Sequence, residues 1–332
     1  MIDRTLLGFT VSMGLLLGGC GPDGTTSTGT SGAGGVPGDT SGSTMTSTTA
    51  TAGTGGAMGT GGSAVTTTTG AGTTTGSGTT TTGAGGGGTL GDHLLISEIG
   101  VAPAGGEFIE IYNPTGAMVD LTEYYLADNS GYFSIAQGKP WAPVTNNPGT
   151  DFLAQFPAGS KIAPGAVVVV ATSASYEMQF SKCPDFFLST KPITCANAPG
   201  KLMLAPTNGG IGDNSGLSND REMVILFHWA GVANTPVEDV DYVTWGVMFE
   251  DATRVEKTAV AGYVADTVRA SQKPAIAPPP TQSIERCGPT LEQGEKSAGG
   301  NGITGHDETS EPLDTNFKLQ VKPTPGTKNT CL

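Results

Sequence analysis

The sequence predicts an all-β fold, an antiparallel β-sandwich with long loop insertions that is preceded by a disordered Gly/Thr-rich tether. Two observations support this prediction. After residue 90, short apolar runs rich in β-branched and aromatic residues alternate with clusters of Gly, Pro, Asn and Asp, which is typical of strands joined by turns. Before residue 91, the chain offers an apolar leader and a tract of Gly, Thr and Ser, whose composition cannot form a packed core.

Residues 1–19 are predicted to be a lipoprotein signal peptide. The apolar stretch at 6–17 is about 12 residues long, which is too short for a helix that spans a bilayer. It ends in Leu-Gly-Gly-Cys at 17–20, a motif that resembles the bacterial lipobox, in which the cysteine is lipidated and becomes the first residue of the mature protein. We therefore expect lipid chains on Cys20 to hold the protein at a membrane, with an ordinary secretory signal as the alternative.

Residues 20–90 are predicted to be the lipidated cysteine and a disordered linker. Of the 70 residues at 21–90, 54 are Gly, Thr or Ser, so a flexible chain with a root-mean-square reach of about 45 Å is expected. Its Thr runs could carry O-linked sugars, or the tract could be an unmodified spacer. Gly21 stands where an Asp would indicate inner-membrane retention in the enterobacterial pattern. We therefore expect an outer-membrane lipoprotein of the cell envelope, exposed at the surface.

The remaining residues, 91–332, are predicted to form the sandwich domain. Each strand candidate is a short apolar or alternating run that a turn former closes. The Val run at 167–170 fits a strand buried on both faces better than a helix, and 255–269 is the best helix candidate. The polar stretches at 137–159 and 173–221 are expected to be ordered excursions or functional loops. In chain order the predicted strands are 93–99, 107–112, 119–127, 132–135, 167–170, 223–229 and 240–245.

The order of these segments resembles the lamin tail domain, an immunoglobulin-like sandwich that also occurs in bacterial surface proteins. The most specific motif is Glu-Phe-Ile-Glu-Ile-Tyr-Asn-Pro at 107–114, and Pro-Thr-Pro-Gly-Thr-Lys-Asn at 323–329 resembles the way such domains end. The chain departs from the family at 123–124, where Gly-Trp is common, and at 220–222, where a Gly-Asp turn is common. The other matching motifs are Ser97-Glu98-Ile99, Val119-Asp120-Leu121, Leu126-Ala127-Asp128, Phe156-Pro157-Ala158-Gly159, Ala163-Pro164-Gly165-Ala166, Val240-Asp241-Tyr242 and Ser283-Ile284-Glu285-Arg286.

The resemblance implies an immunoglobulin-like architecture and no catalytic residues, so we expect neither an enzyme nor a cofactor. Eukaryotic relatives of this family associate with chromatin. Here, however, a formal net charge of −14 repels phosphate, which argues against nucleic acid as a partner. The predicted function is a surface-anchored lipoprotein that presents a non-catalytic sandwich for binding or envelope organisation, with a protein or glycan partner at the cell surface. The alternatives are a calcium-dependent carbohydrate- or matrix-binding adhesin and a hydrolase with an unrecognised site.

Four cysteines follow Cys20, and an even number in an exported domain indicates disulfides. Three pairings are possible. We favour Cys183 with Cys195, which closes the long insertion, and Cys287 with Cys331, which ties down the C-terminal segment. A metal site is the alternative, although the sequence has no Cys-x-x-Cys pair.

Two groups of polar residues are weak metal candidates. Asp213, Asp220 and Glu222 lie in an oxygen-rich stretch that suits calcium, although the spacing is not that of an EF-hand. His306, with the carboxylates of Asp307 and Glu308, could bind a divalent metal or take part in acid–base chemistry, but adjacent loop residues rarely converge on one ion and we expect no second His nearby. Solvated loop acids are the plainer interpretation of both groups.

Three acidic residues lie on or beside predicted strands, namely Glu98, Glu107 and Glu110. Since Glu107 and Glu110 are three residues apart, they point to opposite faces of a strand, which argues against a paired-carboxylate catalytic site. We expect these acids to accept hydrogen bonds from loop backbone amides. His228 lies in a mostly apolar run and is expected to pack within the sheet. The sequence has no Gly-x-Ser-x-Gly elbow, His-Glu-x-x-His motif or phosphate loop.

Overall fold

The computed structural model describes residues 91–101, 106–141, 150–212, 216–247, 253–288 and 291–332. The predicted signal peptide, Cys20, the linker and the candidate ligand Asp213 lie outside these residues. The described chain is mainly strand and turn. In chain order the strands are β1 (Leu95–Gly100), β2 (Phe108–Tyr112), β3 (Val119–Asp120), β4 (Tyr124–Ala127), β5 (Phe152–Gln155), β6 (Lys161–Ile162), β7 (Val167–Ala171), β8 (Phe186–Phe187), β9 (Thr194–Cys195), β10 (Ala198–Pro199), β11 (Gly210–Ile211), β12 (Arg221–His228), β13 (Glu238–Gly246), β14 (Ser283–Arg286) and β15 (Phe317–Gln320).

Two sheets contain most of these strands. The first has six strands in the order β15, β14, β1, β2, β7, β8, and the second has five in the order β11, β5, β4, β12, β13. Neighbours within both sheets are antiparallel, except that β7 and β8 are parallel. The predicted all-β antiparallel sandwich is therefore confirmed. Two short ladders, β3 with β6 and β9 with β10, lie outside the main sheets.

The core lies between the two sheets. Ile96, Ile109 and Val170 of the six-stranded sheet belong to the same buried cluster as Leu126 and Val224 of the five-stranded sheet. Side chains along a strand alternate between its two faces, so alternate residues of these strands reach the shared core. Burial of this apolar surface is the main favourable term in the stability of the domain.

Chain segments outside the sheets cover their outer faces, and this explains the unbroken apolar runs of the sequence. On the six-stranded sheet, Val169 packs in one cluster with Tyr176 and Phe180 from the insertion that follows β7. On the five-stranded sheet, Ile225 packs in one cluster with Tyr132 from the segment after β4. A strand that is covered on both faces needs apolar residues at successive positions, as the burial of β7 and β12 shows.

Two local predictions are wrong. The expected helix at 255–269 is a series of turns with positive φ at Ala259 and Gly262, and the expected strand at 132–135 is a 3₁₀ helix. The polar stretch predicted as an excursion at 137–159 also supplies β5 to a main sheet. No helix in the described part of the chain has the length and apolar character needed to cross a membrane. The helical pieces are α1 (Ser175–Phe180), α2 (Leu313–Asn316) and 3₁₀ turns at Tyr132–Gln137, Arg269–Ser271 and Glu308–Ser310.

Candidate functional site

The four cysteines of the domain form two disulfides. Cys183 is bonded to Cys195 across the long insertion, and their Cα atoms are 5.8 Å apart. Cys287, which follows β14, is bonded to Cys331, with a Cα separation of 5.1 Å. These are the two pairings that the sequence favoured, and all four thiols are therefore unavailable as nucleophiles or metal ligands.

The carboxylates of the three strand acids accept hydrogen bonds from loop backbone amides, as expected. Glu98 accepts a hydrogen bond from the Thr324 amide at 3.0 Å, and Glu110 accepts one from the Gly326 amide at 2.7 Å. Glu107 accepts a hydrogen bond from the Leu217 amide at 2.9 Å. Burial raises the pKa of Glu110 to about 7, although its hydrogen bonds act in the opposite direction. These carboxylates fasten the segments that cross the ends of the six-stranded sheet.

The structure separates the residues that the sequence proposed as metal ligands. Asp220 lies in an exposed bend before β12. Glu222 lies near the buried Asp128, whose pKa is raised mainly by burial and further by Glu222. Asp307 faces Lys296 at 3.0 Å and accepts hydrogen bonds from two threonine hydroxyls. Asp307 is thus held by other groups, whereas His306 belongs to a group of His and Glu side chains whose donor atoms could hold a metal ion.

His306 lies beside a second histidine, which corrects the sequence-based expectation that none is near. His93, directly before β1, packs edge-on against the His306 ring with 5.6 Å between ring centroids. Glu292 and Glu295, in the turn that follows β14, and Glu308, at the start of a 3₁₀ helix, surround the two rings. We call His93, Glu292, Glu295, His306 and Glu308 the histidine–carboxylate cluster.

The donor atoms of the histidine–carboxylate cluster lie close together. The Nε2 atom of His93 is 2.8 Å from Glu292 Oε1 and 4.0 Å from Glu308 Oε2. The Nδ1 atom of His306 is 3.6 Å from Glu295 Oε2. Two overlapping sets, His93 with Glu292 and Glu308, and His306 with Glu292 and Glu295, each place their donor atoms within 4.8 Å of one another.

Several atoms of this cluster have no hydrogen-bond partner among the described residues. They are Glu295 Oε1, His306 Nδ1 and Glu308 Oε1. The Glu308 side chain is 1% exposed and the Glu295 side chain 4% exposed. A buried carboxylate oxygen without a partner costs free energy comparable to a lost hydrogen bond or more. These atoms are therefore the least satisfied polar groups of the site.

The electrostatics of the cluster reflect an excess of buried acid. Burial, and then the neighbouring Glu292, raise the pKa of Glu295 to about 9. The pKa of Glu308 is raised well above its ordinary value, first by burial and then by Glu295. For His93, burial lowers the pKa, but the hydrogen bond and charge of Glu292 outweigh it and the result is about 9.

Arg286, a buried guanidinium whose charge acts on the cluster, already pairs with two other acids. Arg286 on β14 donates to both carboxylate oxygens of Asp241 at 2.8 and 2.7 Å and also to Glu311. The Arg286 side chain is 1% exposed. Its charge thus compensates mainly Asp241 and Glu311, and to a smaller extent Glu292 of the cluster.

A second buried polar network surrounds Lys257, and its charged groups pair with one another. Lys257 is fully buried and its Nζ atom donates to Asp239 Oδ2 at 2.6 Å and to the Tyr132 hydroxyl at 2.7 Å. Asp266 lies 3.4 Å from the same Nζ. Removal of one member would leave a buried charge unpaired, so the network locks the cover of the five-stranded sheet in place.

His228 packs within the sheet as expected, with its ring against Tyr124 of β4 and 5.3 Å between ring centroids, and it also pairs with two acids. Its Nδ1 atom lies 2.9 Å from Glu238 and its Nε2 atom 3.3 Å from Glu123. The side chain is 24% exposed and its two partners are at least half exposed. This is a surface ion-pair arrangement at the end of β12, far less buried than the cluster around His93.

A groove of about 600 Å³ opens on the side of the five-stranded sheet. Tyr125 and Trp229 contribute its aromatic surface, with 6.0 Å between their ring centroids. Gln155 and Asn208 contribute amide groups to the same lining. An apolar surface next to a few amides is the composition of many small-ligand sites.

Sequence reasoning missed His93, Glu292 and Glu295 as site residues. His93 was assigned to a strand, and the two glutamates lie in a polar stretch without a motif. One signal was available, because the chain has three histidines and two of them meet here. Their encounter depends on β14 pairing with β1, which periodicity does not reveal.

Comparison with known proteins supports the fold. The family described as Lamin Tail Domain matches residues 89–246. None of the curated proteins matches the chain. A crystal structure of a DUF4876 family protein from Bacteroides thetaiotaomicron is similar over 70% of this chain and 72% of that chain, with 15% sequence identity and a TM-score of 0.38. A likeness of that size carries no information about function.

Proposed function

Because the chain carries a lamin tail domain over residues 89–246, we propose that it is a lipid-anchored envelope protein that displays a non-catalytic sandwich at the cell surface. The observation that carries the proposal is the order of segments along the chain. A lipobox-like motif ends at Cys20, a Gly/Thr/Ser tract follows, and the first strand begins at Leu95. This is the order expected of an anchor, a spacer and a displayed module.

The use of the polar side chains supports a module that does not catalyse a reaction. The cysteines of the domain are consumed in disulfides. Glu98, Glu107 and Glu110 bind backbone amides, and Lys257 is fixed by its buried partners. These groups form hydrogen bonds and ion pairs within the fold. A nucleophile and its base, in contrast, need to face a reacting atom of the substrate.

The anchor is tested by fractionation of cells that produce the wild-type protein or the Cys20→Ala variant. We expect the wild type in the detergent-extracted membrane fraction and open to added protease on intact cells. The Cys20→Ala variant should leave the membrane fraction, because it lacks the acyl chains that bury CH₂ groups in the bilayer. A variant without the Cys183–Cys195 disulfide serves as the cysteine control and should stay with the membrane. Equal membrane association of wild type and Cys20→Ala would contradict the proposal.

The groove beside Trp229 is the face that we propose meets the partner, and an uncharged glycan is the partner that its chemistry favours. The C–H face of a sugar ring packs on an aromatic ring such as that of Trp229, while an amide such as that of Asn208 pairs with hydroxyl groups. The acidic balance of the chain disfavours anionic polymers.

The glycan proposal is tested by binding of the mature protein to arrays of neutral and anionic oligosaccharides. The Trp229→Ala variant should lose at least tenfold in affinity for a neutral glycan that the wild type binds. Met118→Ala removes an apolar side chain that is 59% exposed and does not line the groove, so its binding should equal that of the wild type. Absence of neutral glycan binding, or equal binding by Trp229→Ala, would reject this partner.

A further inference from the structure

Three distant segments of the chain meet at the histidine–carboxylate cluster. His93 lies at the start of β1, Glu292 and Glu295 lie in the turn after β14, and His306 and Glu308 lie beyond it. The proposed anchor and glycan groove make no use of these side chains. The cluster therefore needs an explanation of its own.

The spacing of the donors suits a single ion. A tetrahedral ion with bonds of about 2.1 Å to nitrogen and oxygen places its ligand atoms roughly 3.4 Å apart. The separations from His93 Nε2 to Glu292 and Glu308 are 2.8 and 4.0 Å, and that from His306 Nδ1 to Glu295 is 3.6 Å. These values bracket the tetrahedral distance, so small side-chain adjustments suffice.

The unpartnered atoms are the second, independent observation. Glu308 Oε1 and Glu295 Oε1 are buried without a hydrogen-bond partner in the described part of the chain, and His306 Nδ1 lacks one as well. Both glutamate side chains are less than a tenth exposed. A bound cation would satisfy such oxygens and this ring nitrogen together, whereas an apolar or purely structural role leaves them uncompensated.

We propose that the histidine–carboxylate cluster binds one divalent transition-metal ion of the zinc type through His93 Nε2, Glu292 and Glu308, with His306, whose donor atom lies within 4.8 Å of that of Glu292, as the fourth ligand. The mixture of imidazole and carboxylate ligands matches zinc or manganese, whereas calcium takes oxygen ligands alone. The ion would add positive charge beside Glu295 and Glu308, because the charge of Arg286 is already paired with Asp241 and Glu311.

Asp92 has the position of an outer partner for this site. Its Oδ1 atom lies 2.8 Å from His93 Nδ1, the ring nitrogen that does not face Glu292. A carboxylate that accepts from the distal nitrogen of a histidine fixes the tautomer and orients the other nitrogen toward the metal. Asp92 and His93 thus form the carboxylate–histidine part of a carboxylate–histidine–metal arrangement.

The position of the site gives it a mechanical role. His93 is among the first described residues after the Gly/Thr/Ser tract, and the other ligands belong to the segment that carries β14 and β15 into the six-stranded sheet. An ion held by both would clamp the start of the domain to its C-terminal part. Metal binding would then strengthen the end of the domain where a tether would apply force.

The test uses the mature full chain, purified without a polyhistidine tag and treated with a chelator. Titration with Zn²⁺, and separately with Mn²⁺, should show one equivalent bound per chain by calorimetry and by metal analysis after dialysis. At a hundredfold excess over Kd the melting temperature should rise by about 5–10 °C, since the ligand binds the folded state alone. Binding of neither metal, or a thermal shift given by Ca²⁺ alone, would overturn the proposal.

Matched variants separate the site from incidental surface binding. His306→Gln should weaken zinc binding at least tenfold, whereas His228→Gln, a histidine that also lies between two carboxylates, should bind as the wild type does. Glu308→Gln should abolish the zinc-induced rise in melting temperature without lowering the melting temperature of the metal-free protein. Equal loss in His306→Gln and His228→Gln, or unchanged binding in both cluster variants, would refute the assignment.

Discussion

Glu110 illustrates how single residues hold this domain together. It lies in β2 with its carboxylate between the Ser97 hydroxyl and the Gly326 amide, each at 2.7 Å. The hydrogen bonds favour the ionised form, but burial is the larger effect and raises the pKa to about 7. The folded domain therefore binds this proton more tightly than the unfolded chain does.

This shift predicts a pH dependence of stability. Below pH 4.5 the proton is bound in both states. As the pH rises from the ordinary pKa of 4.5 to about 7, the folded state must lose a proton that it holds tightly, so the free energy of unfolding falls by at most about 1.4 kcal/mol per pH unit. Glu110→Gln keeps a hydrogen-bond acceptor and has no charge, so its stability should vary less over this interval. Urea unfolding at several pH values measures the difference.

The control for this measurement is Asp220→Asn, which changes a carboxylate in the exposed bend before β12. Its profile between pH 4.5 and 7 should run parallel to that of the wild type. A Glu110→Gln profile that also runs parallel to the wild type would show that the Glu110 carboxylate does not retain its proton in the folded domain.

Single residues also show which features of the site could be predicted from the sequence and which could not. The amide-binding roles of Glu98, Glu107 and Glu110 were predictable, because acids within apolar strands need donors and the adjoining loops supply them. The meeting of His93 with His306 was not, since the two residues are far apart in sequence and belong to segments that only the sheet order brings together. Residue types indicate chemistry, while long-range pairing decides which of them share a site.

At the scale of elements, periodicity identified the long strands and failed for the short connections. β12 follows an unbroken apolar run and β13 an alternating one, and both were predicted close to their observed bounds. The segment at 255–269 has a helix-like composition but turns instead, because Lys257 and Asp266 meet in a buried ion pair. Tertiary contacts of this kind override a weak local preference.

The two disulfides stabilise different elements and should contribute unequally. Cys287–Cys331 spans 44 residues and Cys183–Cys195 spans 12, so the chain-entropy account gives about 4 kcal/mol for the first and about 3 kcal/mol for the second. Cys287→Ser/Cys331→Ser should therefore lower the free energy of unfolding more than Cys183→Ser/Cys195→Ser does. The first pair also fastens the segment that binds Glu98 and Glu110, which adds to its effect.

Chemical denaturation of both double variants and the wild type measures this difference. The far-ultraviolet signal in the absence of denaturant shows whether each variant still folds. A larger loss for the Cys183–Cys195 variant would mean that the long insertion, and not the C-terminal segment, limits the stability of the domain.

At the scale of the whole molecule, the sandwich extends beyond the family match. The match ends at residue 246, but β14 and β15 continue the six-stranded sheet next to β1. The histidine–carboxylate cluster lies among these later residues and the start of β1. The part of the chain outside the match thus completes the sheet and supplies all the proposed metal ligands except His93, which lies within the match.

The central claim is that a lipid anchor at Cys20 displays this sandwich, and the mass of the mature protein tests it most directly. The protein is extracted with detergent from membranes of the native host and analysed by intact-mass and N-terminal peptide mass spectrometry. The account predicts a mature chain that begins at Cys20 and carries the added mass of acyl chains on that residue. A chain that begins elsewhere, or that begins at an unmodified Cys20, would contradict it.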